Sequence, residues 1–186
     1  MKVLVVHPPV SVAKDFIDYP YFSNLGAVQL AAVLREHGHE VVLLDSFSTP
    51  TKEKVGMRGE RLVLGALPDE IPAADVTLIT YGPFHRPPNR DEVLAETLQR
   101  LPGPKYLVDA YQSGQHYVDA SEKDVFAAYP EVHGWVKYEA EVSVPKLLAQ
   151  SPLPTGMIRG EQAKLDALPL PAWDSDQPRG VRRVPQ

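Results

Sequence analysis

The stretches KVLVVHPPV, residues 2–10, and NLGAVQLAAVLREHGHEVVLL, residues 24–44, decide the fold of this chain. Lys2 to Val6 is a continuous aliphatic run stopped by Pro8-Pro9, the pattern of a strand buried on both faces. Asn24 to His37 is rich in leucine and alanine, which favour helix. It ends at Gly38, a residue that easily takes the left-handed conformation closing a helix. Glu40 to Leu44 (EVVLL) then reads as a second strand. Strand, helix and strand in this order make a right-handed parallel crossover.

The same alternation continues along the chain. Asp75 to Tyr81 (DVTLITY) is expected as strand three. Asn89 to Leu101 is expected as a helix with Asn89 and Glu92 at capping-box spacing. Lys105 to Asp109 (KYLVD) reads as strand four, Ser121 to Tyr129 as a short helix, and Gly134 to Tyr138 (GWVKY) as strand five. Ser143 is placed to cap a last helix reaching Gln150, with Pro145 in its first turn. The expected fold is α/β, a doubly wound five-stranded parallel sheet with helices on both faces, flavodoxin-like or Rossmann-like in the order 2-1-3-4-5. Two stretches break the pattern. Ser46 to Pro72 is long for a connection, carries one expected helix over Glu60 to Leu67, and is either a lid or a substrate-facing insertion. From Ser151 onward prolines recur, so residues 151–186 are expected as an extended linker or tail strapped over a surface, following a domain over residues 1–150.

The chain has 186 residues, 44% of them hydrophobic, which suits one ordinary domain plus a tail. Its formal charge of -5, with Lys and Arg scattered, argues against nucleic acid as a partner. The apolar run at the amino terminus is too short for a secretory signal or a membrane span, so a cytoplasmic location with no membrane contact is expected. Cysteine is absent, which excludes disulfides, thiolate metal sites, cysteine nucleophiles and cysteine-ligated iron–sulfur clusters within the chain.

In a doubly wound sheet the ligand crevice lies beyond the carboxyl ends of the strands, where the strand order reverses. The relevant loops are His7 to Ser23, Tyr81 to Pro88, Asp109 to His116 and Tyr138 to Glu141. None carries G-x-G-x-x-G or G-x-x-x-x-G-K-[ST], so dinucleotides and nucleoside triphosphates fit poorly. A phosphoacceptor receiver needs acids at the ends of strands one and three, where this chain has His7 and Thr80-Tyr81.

Four segments stand in a telling order: His7-Pro8-Pro9 after strand one; Gly38-His39-Glu40-Val41 into strand two; Tyr138-Glu139-Ala140-Glu141 with Pro145-Lys146-Leu147-Leu148 after strand five; and Leu165-Asp166-Ala167-Leu168-Pro169-Leu170-Pro171-Ala172-Trp173-Asp174 in the tail. In these the chain resembles, over nearly its whole length, the amino-terminal cobalamin-binding domain of cobalamin-dependent radical S-adenosylmethionine enzymes. It departs from that family in having Asp109-Ala110-Tyr111-Gln112 in place of a glycine pair, and Tyr138 and Ala140 in place of the glycines after strand five. The resemblance implies cobalamin as cofactor. An iron–sulfur cluster and S-adenosylmethionine would belong to a radical barrel, either a further domain or a separate protein. The chain would not be catalytic alone, and the complete system would be a methyltransferase acting on a substrate radical.

The resemblance also implies where the cofactor is held. Pro8, Pro9, Tyr21 and Leu25 would contribute from the strand-one loop and the helix behind it. Thr80, Tyr81 and Gly82 would follow strand three. Asp109, Tyr111 and Gln112 would follow strand four, and Tyr138, Glu139 and Glu141 strand five. The Asp-x-His-x-x-Gly that puts a carboxylate-oriented imidazole beneath cobalt in other cobalamin proteins does not occur, so the nucleotide tail is expected to be detached from cobalt with no histidine replacing it. His7 and His85 lie in the crevice loops, but neither has an aspartate two residues upstream. Tyr81, Phe84, Tyr111 and Tyr117 either line a pocket or pack the sheet end. His37, His39, His116 and His133 read as solvated or structural, and Arg182-Arg183 as a solvated charge pair. A cofactor-free interaction or sensory domain on the same fold is the rival reading, and a flavin or nucleotide module a third.

Overall fold

In the computed structural model, residues 1–15, 24–48, 55–82, 85, 90–109, 120–173 and 182–183 are described. The organising strand is β1 (Lys2–His7), in which Val3, Leu4, Val5 and Val6 are all buried. It is flanked on one side by β3 (Glu40–Asp45) and on the other by β6 (Val76–Tyr81), both parallel to it. Beyond β6 follow β7 (Lys105–Asp109), β8 (Gly134–Lys137) and β9 (Gly156–Arg159), again parallel. β10 (Arg182–Arg183) closes the opposite edge antiparallel to β3. The sheet therefore runs β10-β3-β1-β6-β7-β8-β9, six parallel strands and one short antiparallel one, and is wider than the five-stranded sheet expected. The extra parallel strand, Gly156–Arg159, comes from the segment read as a tail.

Period-two alternation sends neighbouring residues of each strand to opposite faces, and each face collects its own helices. Val3 and Val5 of β1 pack with α1 (Leu25–Glu36) and α4 (Ala140–Leu148). Leu4 and Val6 pack with α2 (Glu92–Arg100) and α3 (Glu122–Ala128). Asn24 caps α1 by accepting from the Ala27 amide, and Ser121 caps α3 by accepting from Asp124. The cap of α2 is Asp91, whose carboxylate accepts from Leu94 at 2.8 Å; the expected cap, Asn89, lies outside the described residues. α4 begins at Ala140, so Ser143 sits inside the helix with its hydroxyl donating to the Glu139 carbonyl, and Pro145 falls in the second turn. The helix start has no side-chain cap and lies close against Gly160, where an added Cβ would meet the Glu139 amide at 2.9 Å.

The insertion after β3 is not helical where it is described. β4 (Val55–Arg58) and β5 (Arg61–Leu64) form a hairpin whose tip holds Gly59 at φ 60, and β5 pairs with β2 (Val10–Ala13), the segment following Pro9. The helix expected over Glu60 to Leu67 is corrected to this strand: Gly59 supplies the turn, and the aliphatic residues Leu62, Val63 and Leu64 suit a pleated surface. Arg61 fixes the pairing by donating to the Ser11 hydroxyl and carbonyl, both at 2.6 Å. The later proline-rich stretch lies along α1, where Gln29 donates to the Pro169 carbonyl at 2.8 Å and Ala172 is buried. No helix among the described residues is long and apolar enough to cross a membrane.

Candidate functional site

The carboxyl ends of β1, β3, β6, β7 and β8 meet on one side of the sheet. His7 ends β1, and the parallel register sets it opposite Asp45, the last residue of β3. The His7 Nδ1 lies 2.9 Å from Asp45 Oδ1, with only 4% of either side chain exposed. The Phe47 amide donates to the same carboxylate oxygen at 2.9 Å, and the Phe47 ring stacks on the imidazole at 4.8 Å between centroids. Ser46 donates its hydroxyl to the His7 carbonyl at 2.7 Å. Sequence reasoning found no carboxylate for His7 because it looked two residues upstream. The acceptor comes instead from the neighbouring strand, and the aspartate ending EVVLLD was the available signal.

At the end of β6, Thr80 and Tyr81 are buried, and a Cβ added at Gly82 would meet no heavy atom of the described residues within 4 Å. His85 is 3% exposed, and neither of its ring nitrogens has a hydrogen-bond partner among the described residues. The Pro9 carbonyl is close enough to act on the imidazole, yet makes no bond of good geometry. Burial is the main reason that His85 is driven down to about 4, with the nearby His7 adding to the effect. The ring is therefore neutral near pH 7, holding one donor and one acceptor that the described residues leave unused. Its backbone is well fixed: the carbonyl accepts from the Tyr129 hydroxyl at 2.8 Å and from the Tyr81 hydroxyl at 3.3 Å. Tyr81 stands edge-on to Tyr129 and Trp135, so this tyrosine packs the sheet end as well as facing the crevice.

Asp109, ending β7, is buried and accepts from the Trp135 indole at 2.7 Å and from the Tyr138 amide at 3.4 Å. Desolvation outweighs these bonds and raises its carboxyl to about 6. Tyr138 follows β8 with φ 69, the left-handed region that a glycine occupies without strain. Lys137 places its ammonium over the rings of Trp135 and Tyr138. Glu139 occupies the cap position of α4 without a side-chain capping bond, and burial raises Glu141 in the first turn.

Neither family models, curated proteins nor solved structures yield a match to this chain. Its function must therefore be read from the site itself. Pro8, Pro9, Thr80, Tyr81, Gly82, Asp109, Tyr138, Glu139 and Glu141 all lie at or just beyond the carboxyl strand ends, as expected. Leu25 opens α1 and is 44% exposed. Tyr21, Phe84, Tyr111, Gln112, His116 and Tyr117 lie outside the described residues, as do the side chains of Arg182 and Arg183. Outside the crevice, His37 bonds the Val33 carbonyl through Nδ1 and His133 faces the Tyr106 ring, both structural roles. The residues that sequence reasoning missed are Asp45, Ser46 and Phe47. Trp135 is a further one, because its indole satisfies half of Asp109.

Proposed function

We propose that the crevice between the ends of β1 and β6 binds cobalamin, with the nucleotide tail detached from cobalt and lodged among the strand-end loops, and that the chain presents this cofactor to a radical S-adenosylmethionine partner. The observation that carries the reading is His85: a buried imidazole whose two nitrogens find no partner among the described residues is a polar group suited to a ligand, because leaving it unpaired costs ~1–3 kcal/mol. Space beside Gly82 that no described residue fills, and the buried Thr80, fit the same use. A corrin with its amide arms requires shape first and a few hydrogen-bonding groups second. Pro8, Pro9, Gly82 and His85 would hold it on the β1–β6 side, and Tyr138 with Glu139 and Glu141 on the β8 side. When bound, cobalamin would supply a methyl carrier for transfer to a substrate radical generated on the partner. The chain's part is to bind the cofactor and to keep water from its buried end.

The test is retention: hydroxocobalamin is mixed with the full chain, free cofactor is removed by desalting, and the visible spectrum is recorded. One equivalent retained is the expected result, and none retained refutes the reading. A second reading, a cofactor-free interaction domain, draws on Asp109 and Tyr138. Asp109 is already satisfied by Trp135 and the Tyr138 amide, and Tyr138 puts a ring where the resembled family has a glycine. Complete loss of cobalamin on desalting is the outcome that would favour it.

A further inference from the structure

We infer that β9 is a strand-docking edge held closed by Glu122, and that releasing this residue lets a second copy of the chain add its own β9 antiparallel. At the other border of the main sheet the last strand, β10, has only two residues, too short to seat a further strand. β9 has four, Gly156–Arg159, and no described strand lies beyond it.

The register with β8 decides which backbone groups face outward. Gly156 donates to the His133 carbonyl and Gly160 to the Lys137 carbonyl, so Gly156, Ile158 and Gly160 turn their amides and carbonyls toward β8. Met157, Arg159 and Glu161 turn theirs away from the sheet. Two of these outward amides are taken by side chains: Met157 donates to Glu122 Oε1 at 2.8 Å, and Glu161 donates to the Ser143 hydroxyl at 3.3 Å. The Arg159 amide has no partner among the described residues. Glu122 is exposed in the first turn of α3, and its bond to Met157 lies at the surface. Gly156, at φ 87, gives room for the approach, because a Cβ there would come within 3.1 Å of Glu122 Oε1. A carboxylate that reaches from a helix to an edge amide adds nothing to the ladder between β8 and β9. It occupies the group that an incoming strand would need first.

The occupant that this edge fits is another β9. A two-fold axis through Ile158 sets Met157 opposite Arg159 of the second copy, and the two exchange both of their outward backbone bonds. Ile158 then faces its own counterpart, an apolar pair, and no like charges stand opposite one another. An axis through Arg159 would instead bring two guanidinium groups together. An axis through Gly160 would need the Glu161 amide that Ser143 holds and the Glu161 carboxylate that Lys146 holds at 2.7 Å. The pairing about Ile158 asks for one change in each chain, the departure of Glu122 from the Met157 amide.

The experiment measures the mass of the full chain in solution by light scattering over a dilution series, together with backbone amide exchange followed by nuclear magnetic resonance. Wild type should have the 20.6 kDa of one chain. Glu122→Ala should double that mass at the concentrated end of the series and slow exchange at the Met157 and Arg159 amides. Glu122→Gln, which keeps an acceptor oxygen, should stay at the mass of one chain. Adding Arg159→Pro to Glu122→Ala should restore the single chain, because proline there removes an outward amide and costs no bond to β8. Glu122→Ser, whose side chain is too short to reach Met157, repeats the measurement if Glu122→Ala does not fold. Three results would overturn the inference: single-chain mass in the folded Ala and Ser variants, a wild type already doubled in mass, or a dimer of Glu122→Ala that survives Arg159→Pro.

Discussion

Replacing Asp109 by asparagine should stabilise the protein at neutral pH and make it more sensitive to acid. The carboxyl is buried, and its pKa rises from 3.8 to about 6, desolvation being the largest cause. Between these values the native state holds a proton that the unfolded state has released. Stability is therefore complete below about 3.8 and is lost as pH rises through about 6, by ~3 kcal/mol in total. The substituted carboxamide would keep an oxygen for the Trp135 indole but turn its amino group toward the Tyr138 amide, losing a long bond worth ~1 kcal/mol. The net gain at about pH 7.5 is ~2 kcal/mol, turning into a loss of ~1 kcal/mol at about pH 4.

His85 works in the opposite sense over an overlapping window. Its pKa falls from 6.5 to about 4, so the unfolded state takes up a proton first and stability is lost as pH drops through that range, again by ~3 kcal/mol. The wild type should therefore be nearly flat from about pH 4 to 6, and Asp109→Asn should uncover the His85 slope. Urea unfolding followed by tryptophan fluorescence at several pH values measures both effects. A variant that is no more stable than wild type at neutral pH, or whose difference from wild type is the same at every pH, would refute this account of Asp109.

Three further substitutions probe the site and its frame. Tyr138 at φ 69 should accept glycine with a change within ~1 kcal/mol, because relief of strain offsets the entropy of glycine and the lost ring contacts, whereas Tyr138→Ile should cost more than ~2 kcal/mol; equal effects in denaturation would contradict the backbone argument. Gly134→Ala drives a Cβ to 2.8 Å from the Tyr106 ring and 2.9 Å from the Gly156 carbonyl. Tyr106 is buried, with its hydroxyl fixed to Pro154, so a loss of ~2–3 kcal/mol is expected, and a midpoint shift too small to measure would mean that the ring can move aside. His85→Phe removes two nitrogens that find no partner among the described residues from an aromatic setting and should stabilise the ligand-free protein by ~1–2 kcal/mol; destabilisation would show that the imidazole is satisfied in solution.

Much of the frame was legible because each central strand is its own signal. KVLVV, EVVLL and DVTLIT are apolar on both faces, and only a covered parallel sheet buries such runs. The errors fall where structure is decided by neighbours. Arg61–Leu64 carries the aliphatic density of a helix, and it is the pairing with Val10–Ala13 that makes it a strand. Gly156–Arg159 stands among prolines and gains its ladder only from β8. Ser143 and Pro145 look like the first turn of a helix, but the helix begins one turn earlier, close against Gly160. The site was half legible for the same reason. Strand ends named the loops, but the bond between His7 and Asp45 spans 38 residues and exists only through the register of two parallel strands.

The hairpin of β4 and β5 has a mechanical consequence for the crevice. It pairs with β2, three residues past His7, and its Leu64 packs with Val10, Val12 and Phe47, the ring that lies against the His7 imidazole. Arg58 clamps the far strand to Glu96 on α2 through two bonds of 2.7 and 2.8 Å. The Phe47 ring beside the imidazole, the hairpin and the outer surface of α2 are thus joined in one continuous run of contacts that reaches from the strand ends to solvent.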